Sequence, residues 1–462
     1  MTIIKDGGFY KRIIRIALPI ALQNFITFAT NMMDSVMISA ADETGVLFDA
    51  ASLANQPFFI LSMISFGLSG GAIVLCAQYW GRDDRESIKD IIAMILKITA
   101  IVSFLWGLLV LLAPEWVMSL YTGDPARIAA ASDYLQILGF AYLAFGLSST
   151  LLCMLRSIES VRIAVLVNSL SFVTNVFLNW VLIFGNLGAP ALGIRGAALA
   201  TLIARLLEFV IMVLYLFVFD RKLQFKPRDL LRFNRTLAKD LLRHGTPVLF
   251  NELFWSLGIT LQSAILGRID YADGSPIGAH NIANTVQQLS TIVIFGLGNA
   301  AAVTVGTAMG EGDRKLAKSQ ADTLTLMSLL VGILAAGIIL LLRNPVLAIY
   351  NESASTEALA YELLTVIAFI TFFVSLSAFS IVGVLRGGGD TRFCLVSEMA
   401  SLWGVATPLA ILAALVFKLP VPLVLICMKI DEPIKAITCW FRLKSGKWMK
   451  ALTRDRAEIE ST

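Results

Sequence analysis

The sequence predicts an all-α membrane protein, with twelve transmembrane helices in two pseudo-symmetric six-helix lobes around a central cleft. Three observations predict it. Of 462 residues, 57% are hydrophobic and only 15% charged, where a soluble domain carries roughly 25% charged residues. Twelve apolar runs reach the length of about 20 residues that a spanning helix needs. The two halves of the chain also match each other, loop charges included.

This composition, with a mean hydropathy of +0.78, excludes a cytosolic enzyme, a disordered chain and a secreted disulfide scaffold. The net charge of +4 is too small to suggest a nucleic-acid partner. The five cysteines, Cys76, Cys153, Cys394, Cys427 and Cys439, are scattered through apolar runs with no Cys-x-x-Cys, which argues against disulfides and zinc. With His244 and His280 as the two histidines, a His-rich metal site is excluded.

The first run, 13–40, follows Lys5, Lys11, Arg12 and Arg15 and contains Pro19, Asn24 and Asp34. It is longer than the apolar core of a secretory signal, about 7–15 residues, and is read as a retained first span. Runs 47–79, 88–113, 128–155, 162–186 and 192–219 complete a first lobe over 1–219. A cytoplasmic linker, 220–243, carries eight Lys/Arg and three Asp. Runs 244–269, 277–309, 320–342, 356–385, 393–417 and 420–442 form a second lobe over 244–442, followed by a cytoplasmic tail, 443–462.

Orientation follows from the basic residues, which favour the cytoplasmic side. With both termini inside, 28 of the 37 Lys/Arg fall in cytoplasmic segments and five in outside loops. A multi-pass protein of a bacterial plasma (inner) membrane is expected.

A shift of 229 residues lays Phe66-Gly67-Leu68 on Phe295-Gly296-Leu297, and Gly81, Asp84, Arg85 and Lys89 on Gly310, Asp313, Arg314 and Lys318. Eleven of the 37 positions 54–90 are identical under this shift. A shift of 230 lays Leu155-Arg156 on Leu385-Arg386. Six spans per half is an even number, so the halves are parallel repeats about an axis along the membrane normal. Alternating access by one lobe rocking against the other is the natural mechanism.

Ionisable groups inside spans cost at least about 2.5–3.5 kcal/mol on insertion scales and are functional candidates by default. Asp34 has no Lys or Arg within a turn on either side, so it should take up a proton or hold a cation, unless it stands solvated and passive near the outer mouth. Asn175 and Asn179, four apart, share one helical face. They could give oxygens to Na⁺, hydrogen-bond a titrating carboxylate, or simply bind two helices together. Thr201 could add a hydroxyl. In the second half, Asn251, Glu252 and Trp255 could hold a cationic ligand, or Glu252 could be structural. Asn284 and Gln287, three apart, and Asn55 and Gln56 suit a wet cavity, with Phe28 either as aromatic lining or, as is commoner for such aromatics, as packing. Arg205 and Glu208 should neutralise each other, as should Lys429, Asp431, Glu432 and Lys435, the latter group being either mutually paired or a conformational latch.

Enzymatic readings fail. Gly67-Leu-Ser69-Gly-Gly71 matches the hydrolase elbow pattern, which needs a strand-to-helix turn, yet it lies in an apolar helix. Gly387-Gly388-Gly389-Asp390 has no Walker-type Lys-Ser/Thr after it and is read as a turn. Without an ATPase motif, uphill transport must use an ion gradient. No prosthetic group is expected.

Taken together, Ala17-Leu-Pro-Ile-Ala-Leu-Gln-Asn24 with Asp34, Ala77-Gln78-x-x-Gly81, Asn175-x3-Asn179-x3-Ile183-Phe184-Gly185, Leu192-Gly-x-x-Gly196-Ala-Ala-x-Ala-Thr201, Leu385-Arg-Gly-Gly-Gly-Asp-Thr391 and Ser445-Gly-Lys-Trp448 resemble the MATE family of multidrug and toxic compound extrusion antiporters. The resemblance implies H⁺- or Na⁺-coupled efflux of organic, cationic compounds, with Asp34, Asn175, Asn179 and Thr201 as the ion-coupling site and Na⁺ held, if at all, by Asp34, Asn175 and Asn179. Glu252 stands closer to Pro247 than the seventh-span Glu of NorM-type members does to its proline, and the tenth span has acids only near its start, Glu357 and Glu362. Small organic substrates and membrane lipids are the expected partners of a monomer. The alternative is a lipid or lipid-linked glycan flippase of the same superfamily, which should line its cleft with several cations.

Overall fold

The computed structural model describes residues 3–42, 45–269, 275–348 and 353–460, and all their regular structure is helical. The first half contains α1 (Gly7–Ala40), α2 (Val46–Gly81), α3 (Arg85–Leu112), the short α4 (Pro114–Ser119), α5 (Pro125–Leu138), α6 (Ala141–Ser157), α7 (Arg162–Phe184) and α8 (Ile194–Phe219). A linker with one 3₁₀ turn at Pro227–Leu231 leads to α9 (Arg235–Leu266). Then come α10 (Pro276–Gly310), α11 (Arg314–Leu347), α12 (Ala354–Leu385), α13 (Thr391–Val416), α14 (Val421–Lys429), α15 (Asp431–Ser445) and the terminal α16 (Arg456–Glu460).

Local chemistry sets several boundaries. Asp124 and Ser275 accept from the backbone N–H of Ala126 and Gly278, capping α5 and α10, each with proline at its first position, where the missing N–H costs nothing. Gly185 and Gly446, at φ 73° and 68°, end α7 and α15 in the left-handed conformation that glycine adopts freely.

Among the described residues ten helices are long and apolar enough to cross a membrane, and the pair α5/α6, bent by 56°, makes an eleventh. The predicted run 128–155 is therefore bent rather than straight. The bend falls at Gly139, where a Cβ would stand 2.9 Å from the Leu111 side chain. The predicted run 420–442 is helical but divided at Ile430 into pieces of 9 and 15 residues, each too short to cross alone. Lys429, Asp431, Glu432 and Lys435 surround the division. The outward faces remain apolar: Leu112, Leu341 and Phe369 are 75%, 79% and 67% exposed, a surface made for lipid rather than water.

The chain forms two compact units. Unit 1 holds α1 as far as Ala21, the segment Ala77–Asp84, and Leu242–Asp455; unit 2 holds Leu22–Cys76, Arg85–Leu241 and the chain from Arg456 onward. The core of unit 1 centres on α10: Leu297, Val305 and Met309 pack with Phe379, Val384 and Trp448, while Ile282 belongs to a second cluster with Leu363, Leu364 and Leu425. In unit 2, Tyr134, Leu135 and Leu138 of α5 pack with Ile183 of α7 and Ala198 of α8.

Gly387-Gly388-Gly389-Asp390, read as a turn, is also a receptor for the C-terminal segment. A Cβ on Gly388 would overlap the ring of Trp448, which is 1% exposed. Lys450 donates its backbone N–H to the Gly388 carbonyl (2.8 Å) and its ammonium to Asp390 (2.6 Å), which also accepts from Arg442 Nε (2.7 Å). The end of α2 joins this assembly. Gln78 Nε2 donates to the carbonyls of Gly387 and Lys450, and Gln78 Oε1 accepts from Leu452 N–H; Arg82 pairs with Asp455.

Candidate ion-coupling site

Asp34 lies near the end of α1, facing α7. Because Asn175 and Asn179 fall one turn apart on α7, both amides point the same way, and both are buried, at 1% and 0% exposure. Asn179 Nδ2 donates to Asp34 Oδ1 at 2.5 Å and lies 3.3 Å from Asn175 Oδ1. Asn175 Nδ2 donates to Thr201 Oγ1 of α8 at 3.3 Å. The four residues expected to form one site thus form one hydrogen-bonded chain inside unit 2.

That chain is incomplete at one atom. Asn179 Oδ1 is buried without a hydrogen-bond partner, although buried polar groups are nearly always satisfied. A bound cation would engage this oxygen, and so would a proton on Asp34 after rotation of the amide. The donor set, one carboxylate, two amide oxygens and a hydroxyl, is hard and oxygen-only, which fits Na⁺ as well as H⁺.

Tyr134 belongs to the site and was not singled out from the sequence. Its side chain is 2% exposed, and its hydroxyl lies beside Thr201 and Asn55. One tyrosine in an apolar run gives no signal without the fold. The charge of Arg205 acts on Asp34. It is held by Glu208 at 2.8 Å and lies over the rings of Phe58 and Phe145, at 5.8 and 5.2 Å, so the expected Arg205–Glu208 neutralisation is present.

The cavity candidates divide between the units. In unit 2, Asn55 and Gln56 are exposed and Phe28 is half-buried. In unit 1, Asn284 Nδ2 lies 2.9 Å from His280 Nε2, Gln287 Nε2 reaches Thr371 Oγ1 at 3.5 Å, and Trp255 is half-buried. Glu252 and Asn251 are both taken by Arg386, whose Nη2 donates to Glu252 Oε1 at 2.6 Å and to Asn251 Oδ1 at 2.9 Å. The repeat contained the signal for this pair. Gln23 falls on Glu252 and Arg156 on Arg386, and in unit 2 Arg156 Nη2 donates to Gln23 Oε1 at 2.6 Å.

Ser69, the candidate nucleophile, donates to Thr150 Oγ1, which donates to Thr99 Oγ1. It belongs to a buried hydroxyl chain between helices.

The family model MatE matches the chain twice, over 19–181 and 247–412. The chain belongs to the MATE family. The second match begins at 247 where the first begins at 19, so both copies of the repeat carry the family pattern. Members of the family are membrane transporters, not enzymes. The chain is similar to a probable multidrug resistance protein NorM of Thermotoga maritima, with 25% identity covering 97% of this chain and 95% of the relative. It is also similar to a probable NorM of Rhizobium meliloti, with 28% identity covering 85% and 83%. Among solved structures, the outward-facing conformation of a multidrug resistance MATE family transporter matches with a TM-score of 0.84 at 19% identity, over 95% of this chain and 96% of that one. A MOP superfamily transporter from Pyrococcus furiosus matches at 0.85 and 18%, over 96% and 97%. These likenesses establish the fold of a multi-pass, all-helical MATE transporter.

Proposed function

We propose that this MATE protein exports small organic compounds, cationic ones foremost, by alternating access of its two repeat halves, driven by a monovalent cation that binds at Asp34. The observation that carries the reading is the contact of Asp34 with Asn179, whose carbonyl oxygen is buried and unpaired. An ionised Asp34 accepts the amide N–H. A protonated Asp34 would instead donate to the carbonyl oxygen, and a 180° rotation of the Asn179 amide, with that of Asn175 turning in step so that it donates to Asn179 and accepts from Thr201, exchanges the two arrangements. The site therefore has two hydrogen-bonded states that differ by one positive charge. A ligand shifts a conformational equilibrium only as far as it binds the two states differently, and coupling requires that of this ion. The proton is favoured over Na⁺ because a single carboxylate already bonded to an amide needs no further oxygens to accept it. The names of the relatives, multidrug resistance proteins, support the substrate class. The cytoplasmic placement of both termini rests on the distribution of Lys and Arg.

The flippase reading is weaker. It needs free cations for a lipid-linked pyrophosphate, but Arg205 and Lys435 are engaged by carboxylates, Lys429 stands in the field of Asp431 and Glu432, and Lys97 Nζ donates to the Arg232 carbonyl at 2.8 Å.

The test is efflux of a panel of cationic dyes and lipids from proteoliposomes, with pH and Na⁺ gradients imposed separately. Efflux should follow the pH gradient, and Asp34→Asn should abolish it while the protein remains folded. Undiminished gradient-driven efflux by Asp34→Asn would remove Asp34 from the mechanism, and a response to the Na⁺ gradient alone would assign the ion as Na⁺.

A further inference from the structure

Unit 1 contains a second ionic centre, far in sequence from Asp34. Lys435 of α15 is 3% exposed, and its ammonium contacts three carboxylates: Asp431 Oδ2 and Glu432 Oε1 at 2.8 Å, and Glu398 Oε1 of α13 at 3.2 Å. Glu398 and Asp431 are 4% and 3% exposed. Ser377 of α12 donates to the other oxygen of Glu432. Lys429, half-buried at the end of α14, adds its field to Asp431 and Glu432. His280 of α10 faces Lys429, and the Cys439 thiol lies one turn beyond Lys435. α9 contributes the uncharged Gln262, which donates to the Met428 carbonyl at 3.0 Å, just before the division at Ile430.

The charges do not balance. Fully ionised, Glu398, Asp431 and Glu432 face Lys429 and Lys435, which leaves one uncompensated negative charge between the eleventh and twelfth apolar runs. An unpaired charge there is costly. Asp431 Oδ1 makes the deficit visible: it is buried and has no hydrogen-bond partner. The position at the centre of the three carboxylates is already filled by the Lys435 ammonium, which excludes a metal ion from it. We infer that this cluster of three carboxylates around one ammonium is a proton-binding site that carries one proton. Releasing it restores a net negative charge beside Ile430, where α14 passes into α15. This inference does not depend on the role of Asp34.

The experiment is infrared difference spectroscopy of the full-length purified protein, recorded against pH in an Asp34→Asn background so that Asp34 contributes nothing. A carboxylic-acid C=O band should be present at neutral pH. It should be lost on adding Asp431→Asn or Glu398→Gln, since two carboxylates then balance two lysines, and strengthened by Lys435→Met. Either amide variant is sufficient, so misfolding of one leaves the test intact. A neutral-pH spectrum without the band, or a band that survives in either folded amide variant, overturns the inference. So does a band that appears in choline buffer and vanishes in Na⁺ at the same pH, because the compensating charge would then be a sodium ion.

Discussion

Glu252 and Gln23 occupy matching positions in the two repeats, and each receives an arginine from matching positions, Arg386 and Arg156. An amide therefore already does in one copy what a carboxylate does in the other. Glu252→Gln should fold and keep its apparent melting temperature close to wild type. Arg386→Leu strands a buried carboxylate, a change that typically costs about 3–5 kcal/mol. Thermal unfolding in detergent separates the two outcomes: equal, large losses for both would show that the charge of Glu252, rather than its acceptor oxygen, is what the arginine requires. The cation-site reading of Glu252 from sequence fails to see Arg386, because a carboxylate near an asparagine and a tryptophan looks free until the residue 134 positions away is placed against it. Asp34 was legible for the opposite reason. Its isolation from Lys and Arg is local, and so is the four-residue spacing that aligns Asn175 with Asn179. What the spacing could not reveal is the direction of the amides, on which the distinction between helix glue and ion site rests.

The apolar runs locate the helices well because a membrane span is set by length and hydropathy, both local quantities. They miss the bend at Gly139, which is a packing event, and the division at Ile430, which is local: Pro433 has no N–H to give the Lys429 carbonyl. The Gly-Gly-Gly-Asp segment shows how far local reading extends. Its turn is written in its glycines, but its partner lies some 60 residues downstream. Gly388 leaves room for the Trp448 ring, Lys450 and Arg442 neutralise Asp390, and the Gln78 side chain joins loop and tail. Trp448 is the largest buried apolar side chain of that tail, with Met449 packed against the same core. Trp448→Ala should lower stability by about 3–5 kcal/mol, the usual cost of deleting a buried aromatic. Limited proteolysis should then cut the chain after Lys447 while the membrane-spanning region stays intact. If the variant melts like wild type and resists cleavage, the segment is held by its hydrogen bonds and ion pairs instead.

At the scale of the molecule, the internal repeat becomes a physical contact. The end of α2 and the end of α10 meet within unit 1 through positions that the 229-residue shift superposes. A Cβ on Gly81 would overlap the Thr307 carbonyl, and a Cβ on Gly310 would overlap the Gln78 carbonyl. Gln78 and Thr307 are themselves equivalent, as are Ala77 and Gly306, where a Cβ on Gly306 would stand 2.8 Å from the Ala77 methyl. Each helix end thus presents the same glycine to the same backbone oxygen of its counterpart, as a local two-fold axis requires. Small residues of this kind let helix backbones approach closely in membranes, and a side chain forced into such a gap costs about 1–3 kcal/mol. Gly81→Val and Gly310→Val should therefore each destabilise the protein by that amount. Both overpack one crossing, so the first substitution, by pushing the helices apart, makes room for the second. The double variant should lose clearly less than the sum of the singles, whereas independent sites would add to within about 0.3–0.5 kcal/mol. Melting of the three variants measures this coupling directly, and strict additivity would mean that the two glycines answer to separate constraints rather than to one symmetric contact.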